Sequence, residues 1–146
     1  MTLSTYETAV KPEWIDYNGH MSEAFYVLVF GFATDEAMAA LGLDEAYRDD
    51  SGRSLYTVEA HVRYLDEVAL GTELRVTTEV IGVAPKKLHL AHTMLAGDTV
   101  VATEEILGLH VAQQEGRTVP LPDTVERRAR ASLRTAPSWA GRSIAV

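Results

Sequence analysis

The chain contains no cysteine, which excludes a disulfide framework and thiol catalysis. It is also short of positive charge, with 13 Lys and Arg against 21 Asp and Glu in 146 residues and a net charge of −8. Nucleic acid is therefore disfavoured as a partner, because phosphates need a basic surface. No segment reaches the roughly 20 apolar residues of a bilayer span; the most apolar run, Ala24 to Ala33, is closed by Asp35 and Glu36. Met1-Thr2-Leu3-Ser4-Thr5 lacks the basic and apolar regions of a secretory signal. A cytoplasmic protein without a membrane partner is expected. There is no internal repeat and no low-complexity tract. Metal-ligand spacing is missing as well: Asp16 and His20 stand at i, i+4, but no H-E-x-x-H or comparable pair accompanies them, and no metal is expected. The length is that of one domain.

What the chain does have is an apolar helix. Ala24 to Ala33 reads Ala-Phe-Tyr-Val-Leu-Val-Phe-Gly-Phe-Ala without a charge. Phe25, Leu28, Val29 and Phe32 form the i, i+3, i+4, i+7 stripe, while Tyr26, Val27 and Phe30 make the other side apolar too. Such a helix is expected to be buried all round. Ser22 suits its N-cap and Gly42 its left-handed end.

The material to wrap that helix follows it. Ser54 to Leu65 alternates, with Tyr56, Val58, Ala60, Val62 and Tyr64 on one face and Thr57, Glu59, His61 and Arg63 on the other. Period two over this length predicts a half-buried strand. Glu73–Ile81, Lys87–Leu95 and Thr99–Val111 are three more, separated by Val83-Ala84-Pro85 and Gly97-Asp98 at hairpin-like distances. Gly108 within the last run marks a bulge or a close approach. With a short strand over Tyr6–Val10, the fold expected is α+β: a five-stranded antiparallel sheet, its last four strands a meander, wrapped around one long central helix.

The chemistry gathers just before that helix, in Asp16-Tyr17-Asn18-Gly19-His20-Met21. A helix N-terminus presents unpaired N–H groups and the positive end of the macrodipole. Those groups polarise a carbonyl, and a carboxylate beside them is placed to attack it or to activate a water. The N–H groups from Gly19 to Ser22 are the expected donors. Asp16 and Asn18 also suit a turn for local hydrogen bonding alone. His20 either holds the turn or orients Asp16 or the substrate. His89, His92 and His110 are expected to be structural.

The segment Trp14 to Tyr26 and the order of elements resemble the hot-dog acyl-CoA thioesterases of the 4-hydroxybenzoyl-CoA thioesterase type. The resemblance implies a hot-dog fold and makes Asp16 the catalytic carboxylate. Plant acyl-carrier-protein thioesterases carry a similar Asp-x-Asn-x-His pattern, matched by Asp16, Asn18 and His20. Tyr56 to Arg63, Lys87 to Leu90 and Leu109 to Val111 further resemble the betainyl-CoA thioesterase domains of L-carnitine catabolism. The activity implied is hydrolysis of a small acyl-CoA at the interface of a homodimer, or of a tetramer built from it. No cofactor is implied beyond the coenzyme A of the substrate.

On that reading Asp16, Asn18, His20 and Glu59 are the catalytic candidates. Trp14, Tyr17, Gly19, Met21, Tyr26, Tyr56, Thr57 and His61 are candidates for the acyl site, their rings as a cage for a quaternary ammonium. Glu59 would supply the matching negative charge. Lys86 and Lys87 would meet coenzyme A phosphates. Residues 1–122 are expected to form the hot-dog domain and 123–146 a helix and tail carrying Arg127, Arg128, Arg130 and Arg134. A hot-dog hydratase is the first alternative, but its Asp-x-Asn-Pro-x-His places histidine five positions after the acid, against four here, with Gly19 in place of proline. A binding module for acyl-CoA or a quaternary amine, without turnover, is the second.

Overall fold

The computed structural model describes residues 2–146. Strand β1 (Ser4–Ala9) and a short 3-10 helix (Pro12–Trp14) lead into α1 (Glu23–Leu41), then α2 (Glu45–Ser51). Strands β2 (Arg53–Tyr64), β3 (Glu73–Ala84), β4 (Lys87–Ala96) and β5 (Thr99–Ala112) follow, with a two-residue β6 (Arg117–Thr118) and α3 (Asp123–Ala131). The strands form one antiparallel sheet in the order β1-β3-β4-β5-β2, with β6 added to β5. The sheet is thus six-stranded, counting β6. Only β3, β4 and β5 form a meander, because β2 crosses to the far side and pairs with β5 rather than β3. The crossing segment runs past the start of α1, where the Val68 carbonyl accepts the Met21 N–H at 2.9 Å.

Helix α1 lies on the sheet through Tyr26, Val29, Phe30, Ala33, Ala37, Met38 and Leu41, all buried. Phe30 is fully enclosed, stacked on His92 of β4 with ring centroids 5.8 Å apart. Gly42 ends the helix at φ 100°, and Ser22 stands at the N-cap without a side-chain bond. The expected burial on every side is not found: Val27 and Leu28 are about two-fifths exposed, with Ala24 and Gly31 also open. Among the described residues the sheet closes over the opposite side, and Val27 and Gly31 border an open cleft between α1 and β2. Helix α3 docks Val125 and Ala129 into the core cluster that holds Leu41, Leu55 and Ile106.

Gly108 meets both expectations attached to it. Thr57 pairs with Gly108 and Glu59 with Leu107, which leaves Val58 as an extra residue in β2. A Cβ on Gly108 would stand 2.7 Å from Leu55 Cγ, so the close approach is real. The bulge also breaks the alternation read for β2, because an extra residue inverts every side chain beyond it. Leu55 and Thr57 share the helix-facing side with Ala60 and Val62, while Glu59 and His61 lie on the outer face with Glu105.

Candidate active site

Trp14 to Ser22 folds into a narrow hairpin that feeds α1. The Asp16 N–H donates to the His20 carbonyl at 3.0 Å and the Ser22 N–H to the Trp14 carbonyl at 2.9 Å, around an Ile15–Met21 bridge. The chain reverses through Tyr17 and Asn18, closed by the Gly19 N–H on the Asp16 carbonyl at 3.0 Å. Gly19 has φ 83°, a region glycine enters without a Cβ clash. Asp16 Oδ1 accepts the Asn18 N–H at 2.8 Å, as an Asx turn does. Hydrogen bonds among the described residues engage that one oxygen, which leaves Oδ2 for chemistry beside the helix start.

Three of the four N–H groups expected to meet an oxyanion are already engaged. Gly19, Met21 and Ser22 have already given their N–H groups to the carbonyls of Asp16, Val68 and Trp14. The groups left are that of His20, for which no acceptor is found among the described residues, and those of Glu23 and Ala24 in the first turn of α1, which have no intrahelical partner. His20 contributes its carbonyl to the Asp16 turn, while its Nδ1 lies 3.3 Å from Glu67 Oε2, away from Asp16.

Several expected site residues are elsewhere. Trp14 is buried in the core, stacked on Phe25 at 5.9 Å, whereas Met21, also buried, borders the cleft beside the Asp16 turn. Tyr17 is 96% exposed at the turn tip. Tyr56 points outward, its hydroxyl accepting from Gln113 Nε2 at 3.1 Å. Within one chain the rings form no cage: Trp14 packs on Phe25, and Tyr26 meets Tyr64 edge to face at 5.2 Å. Those two line an open cleft of about 580 Å³ with Met21, Glu23, Asp66 and Glu67, next to the Asp16 turn. Burial raises the pKa of both tyrosines, so they stay neutral hydroxyls at pH 7. The Tyr26 hydroxyl donates to the Asp66 carbonyl at 3.0 Å.

Glu59 and His61 line an outer-face cavity with His89 and Glu105, crossed by Gly141 to Ile144. His89 Nε2 bonds Glu105 at 2.8 Å, and the Gly141 N–H donates to the same carboxylate at 2.7 Å. Within one chain, the bulge at Val58 therefore separates Glu59 and His61 from Thr57, and none of the three joins Asp16. Lys86 and Lys87 stand at the β3–β4 turn, whereas the Asp16 turn sits beyond the β3 start. The 12 residues of β3 separate those ends by about 40 Å.

The residue that sequence reasoning passed over is Glu104. It lies on the helix-facing side of β5 with a side chain 5% exposed, in a cleft of about 340 Å³ between α1 and β2. Burial pushes its carboxyl up to about 7. His92 beside it is held near 4 by burial and so stays neutral. The available signal was Glu104-Glu105, the only acids of a largely apolar strand, since period two sends one of two adjacent acids to each face.

A curled antiparallel sheet around a central helix, with a carboxylate turn at the helix start, defines the hot-dog thioesterase architecture. The chain belongs to the Thioesterase-like superfamily, whose family model matches residues 10–129. It is similar to the betainyl-CoA thioesterase of Pseudomonas aeruginosa PAO1, 45% identical over 132 residues, covering 88% of this chain and 82% of that protein. It also resembles the L-carnitine dehydrogenase/betainyl-CoA thioesterase of Agrobacterium fabrum, 44% identical, where the match covers 86% of this chain and 26% of the larger protein. Among solved structures, a Staphylococcus aureus protein in complex with CoA superposes with a TM-score of 0.89 at 28% identity, covering 97% of this chain and 94% of that one.

Proposed function

We propose that this thioesterase hydrolyses betainyl-CoA to glycine betaine and coenzyme A, as a step of L-carnitine catabolism. The observation that carries the substrate is the 45% identity to a betainyl-CoA thioesterase over nearly the whole of both chains. The dehydrogenase fusion in the Agrobacterium relative supports the pathway. Asp16 provides the carboxylate, either adding to the thioester carbonyl to give a mixed anhydride or taking a proton from the attacking water. In the first route the C–S bond breaks as the C–O bond to Asp16 forms, and water then cleaves the anhydride to release the acid and restore the carboxylate. In the second, water oxygen bonds the carbonyl carbon directly and the C–S bond breaks. In both the thiolate leaves to be protonated. The Glu23 and Ala24 N–H groups receive the developing oxyanion; one such donor is typically worth about 3 kcal/mol. No cofactor is required beyond the coenzyme A of the substrate, and the cytoplasm is the site of action.

The working unit is a homodimer. Among the described residues strand β2 is a sheet edge without a partner on its outer side; it exposes Tyr56, Val58 and Tyr64, and the open stripe of α1 lies alongside. A 12-residue edge that exposes such side chains is a liability unless paired. Antiparallel pairing of two β2 strands about a two-fold axis sets the Tyr64 end of each against the Arg53 end of the other. The Asp16 turn of one protomer then faces the α1–β2 cleft of its partner, and the acyl group spans the two.

The direct test is release of free thiol from a panel of acyl-CoAs. The expected result is a kcat/KM for betainyl-CoA well above those for acetyl-, butyryl- and benzoyl-CoA. Equal turnover across the short acyl groups would make the enzyme a general short-chain thioesterase.

A further inference from the structure

We infer that the cleft between α1 and β2 receives the trimethylammonium head of the acyl group, with Glu104 as its counter-charge. This rests on the betainyl-CoA reading above and assigns the negative charge to a residue other than Glu59. The walls of the cleft are apolar, built from Val27 and Met38 of α1 and from Leu55, Ala60 and Ile106 of the sheet. Its lining holds two carboxylates, Glu104 and Asp35, and two hydroxyls, Thr34 and Thr57, but no Lys, Arg or His.

Glu104 is enclosed and uncompensated. No hydrogen bond to its carboxylate forms among the described residues, and the basic nitrogen facing it is His92 Nε2 at 3.9 Å. That imidazole is committed elsewhere: Nε2 is 2.9 Å from Thr34 Oγ1 and Nδ1 2.7 Å from Thr78 Oγ1. A buried ionised carboxylate is costly without a paired cation, and the protein supplies none here. A quaternary ammonium is the ligand chemistry that suits such a place. It has no N–H to donate, so it needs only charge and apolar contact. A primary ammonium would leave donors facing Val27, Ala60 and Ile106.

The two other places for a cation fit less well. The Tyr26–Tyr64 cleft is bordered by Glu23, Asp66 and Glu67, all exposed, where water and salt screen the attraction. Glu59 lies on the outer face, across the sheet from α1. The volume of about 340 Å³ lies at the small end of ligand pockets, in keeping with a short acyl group rather than a fatty chain.

The test is a discrimination ratio: kcat/KM for betainyl-CoA divided by that for 3,3-dimethylbutanoyl-CoA, in which carbon replaces the ammonium nitrogen. Glu104→Gln is expected to lower this ratio at least ~30-fold, chiefly through KM for the cation, with Glu104→Asp intermediate. Thr57→Lys, at an exposed rim position, brings an ammonium to the same carboxylate and is expected to move the ratio in the same direction. This second variant keeps the test valid if Glu104→Gln folds poorly. A wild-type preference for the cation that survives in both variants, including an equal loss of both substrates, overturns the role of Glu104 alone. A wild type that hydrolyses the neutral ester and ignores betainyl-CoA overturns the substrate reading, and this inference with it.

Discussion

Replacing Glu104 by Gln keeps the side-chain volume and removes a charge that the fold does not compensate, and the effect on stability depends on pH. In the folded chain burial holds the Glu104 carboxyl at about 7, against an ordinary 4.5. Below pH 4.5 it is protonated in both the folded and unfolded states and contributes nothing. Between 4.5 and 7 the unfolded chain ionises while the folded chain keeps its proton, so wild-type stability falls as pH rises through this window. Above 7 the full cost is present, about 3 kcal/mol for a shift of this size. His92 acts with the opposite sign. It is neutral in the fold down to about 4 and protonates in the unfolded chain below 6.5, so it lowers stability as pH falls. Both proteins contain His92, and to first order it cancels from their difference. Urea unfolding of wild type and Glu104→Gln at one protein concentration, at pH 4.5, 5.5, 6.5 and 8, is the assay. The two should be equally stable at pH 4.5, and the variant should lead by a margin growing to about 3 kcal/mol at pH 8. A constant difference, or a less stable variant at pH 8, refutes the view of Glu104 as an uncompensated buried acid.

Asp16→Asn should retain the fold, since an amide oxygen still accepts the Asn18 N–H, yet kcat should fall at least ~100-fold because an amide is neither base nor nucleophile; circular dichroism and thiol release together check this. Gly108→Ala should destabilise by about 1–3 kcal/mol, because the added Cβ meets Leu55 Cγ at 2.7 Å, read from the urea midpoint. Light scattering should find wild type as a dimer at micromolar concentration, and Leu28→Glu, at an open position on the α1 stripe, should give monomers without turnover; an active wild-type monomer would end the composite-site reading.

The elements of the fold were legible from the chain because each is written in a local period. Alternation marked β2 to β5 to within a few residues, the uncharged run marked α1, and Gly42 marked its end. Asp16 was legible as a candidate for a similar reason, since an acid in a glycine-containing turn before an apolar helix stands near that helix's unpaired N–H groups.

What tertiary structure alone decided is which side each strand residue faces and which backbone groups are already taken. The bulge at Val58 depends on Gly108 in a strand about 50 residues away, and it moved Thr57 to the helix side while leaving Glu59 and His61 outside. The N–H groups of Met21 and Ser22 looked free until Val68 and Trp14 were seen to accept them. The rings that a linear reading gathered into a cage were scattered among core, turn tip and outer face. Glu104 became a candidate only when the curl of β5 set it under α1 with no cation near. Period and turn chemistry are properties of neighbours in sequence, whereas burial, hydrogen-bond competition and the partner of a charge are properties of neighbours in space.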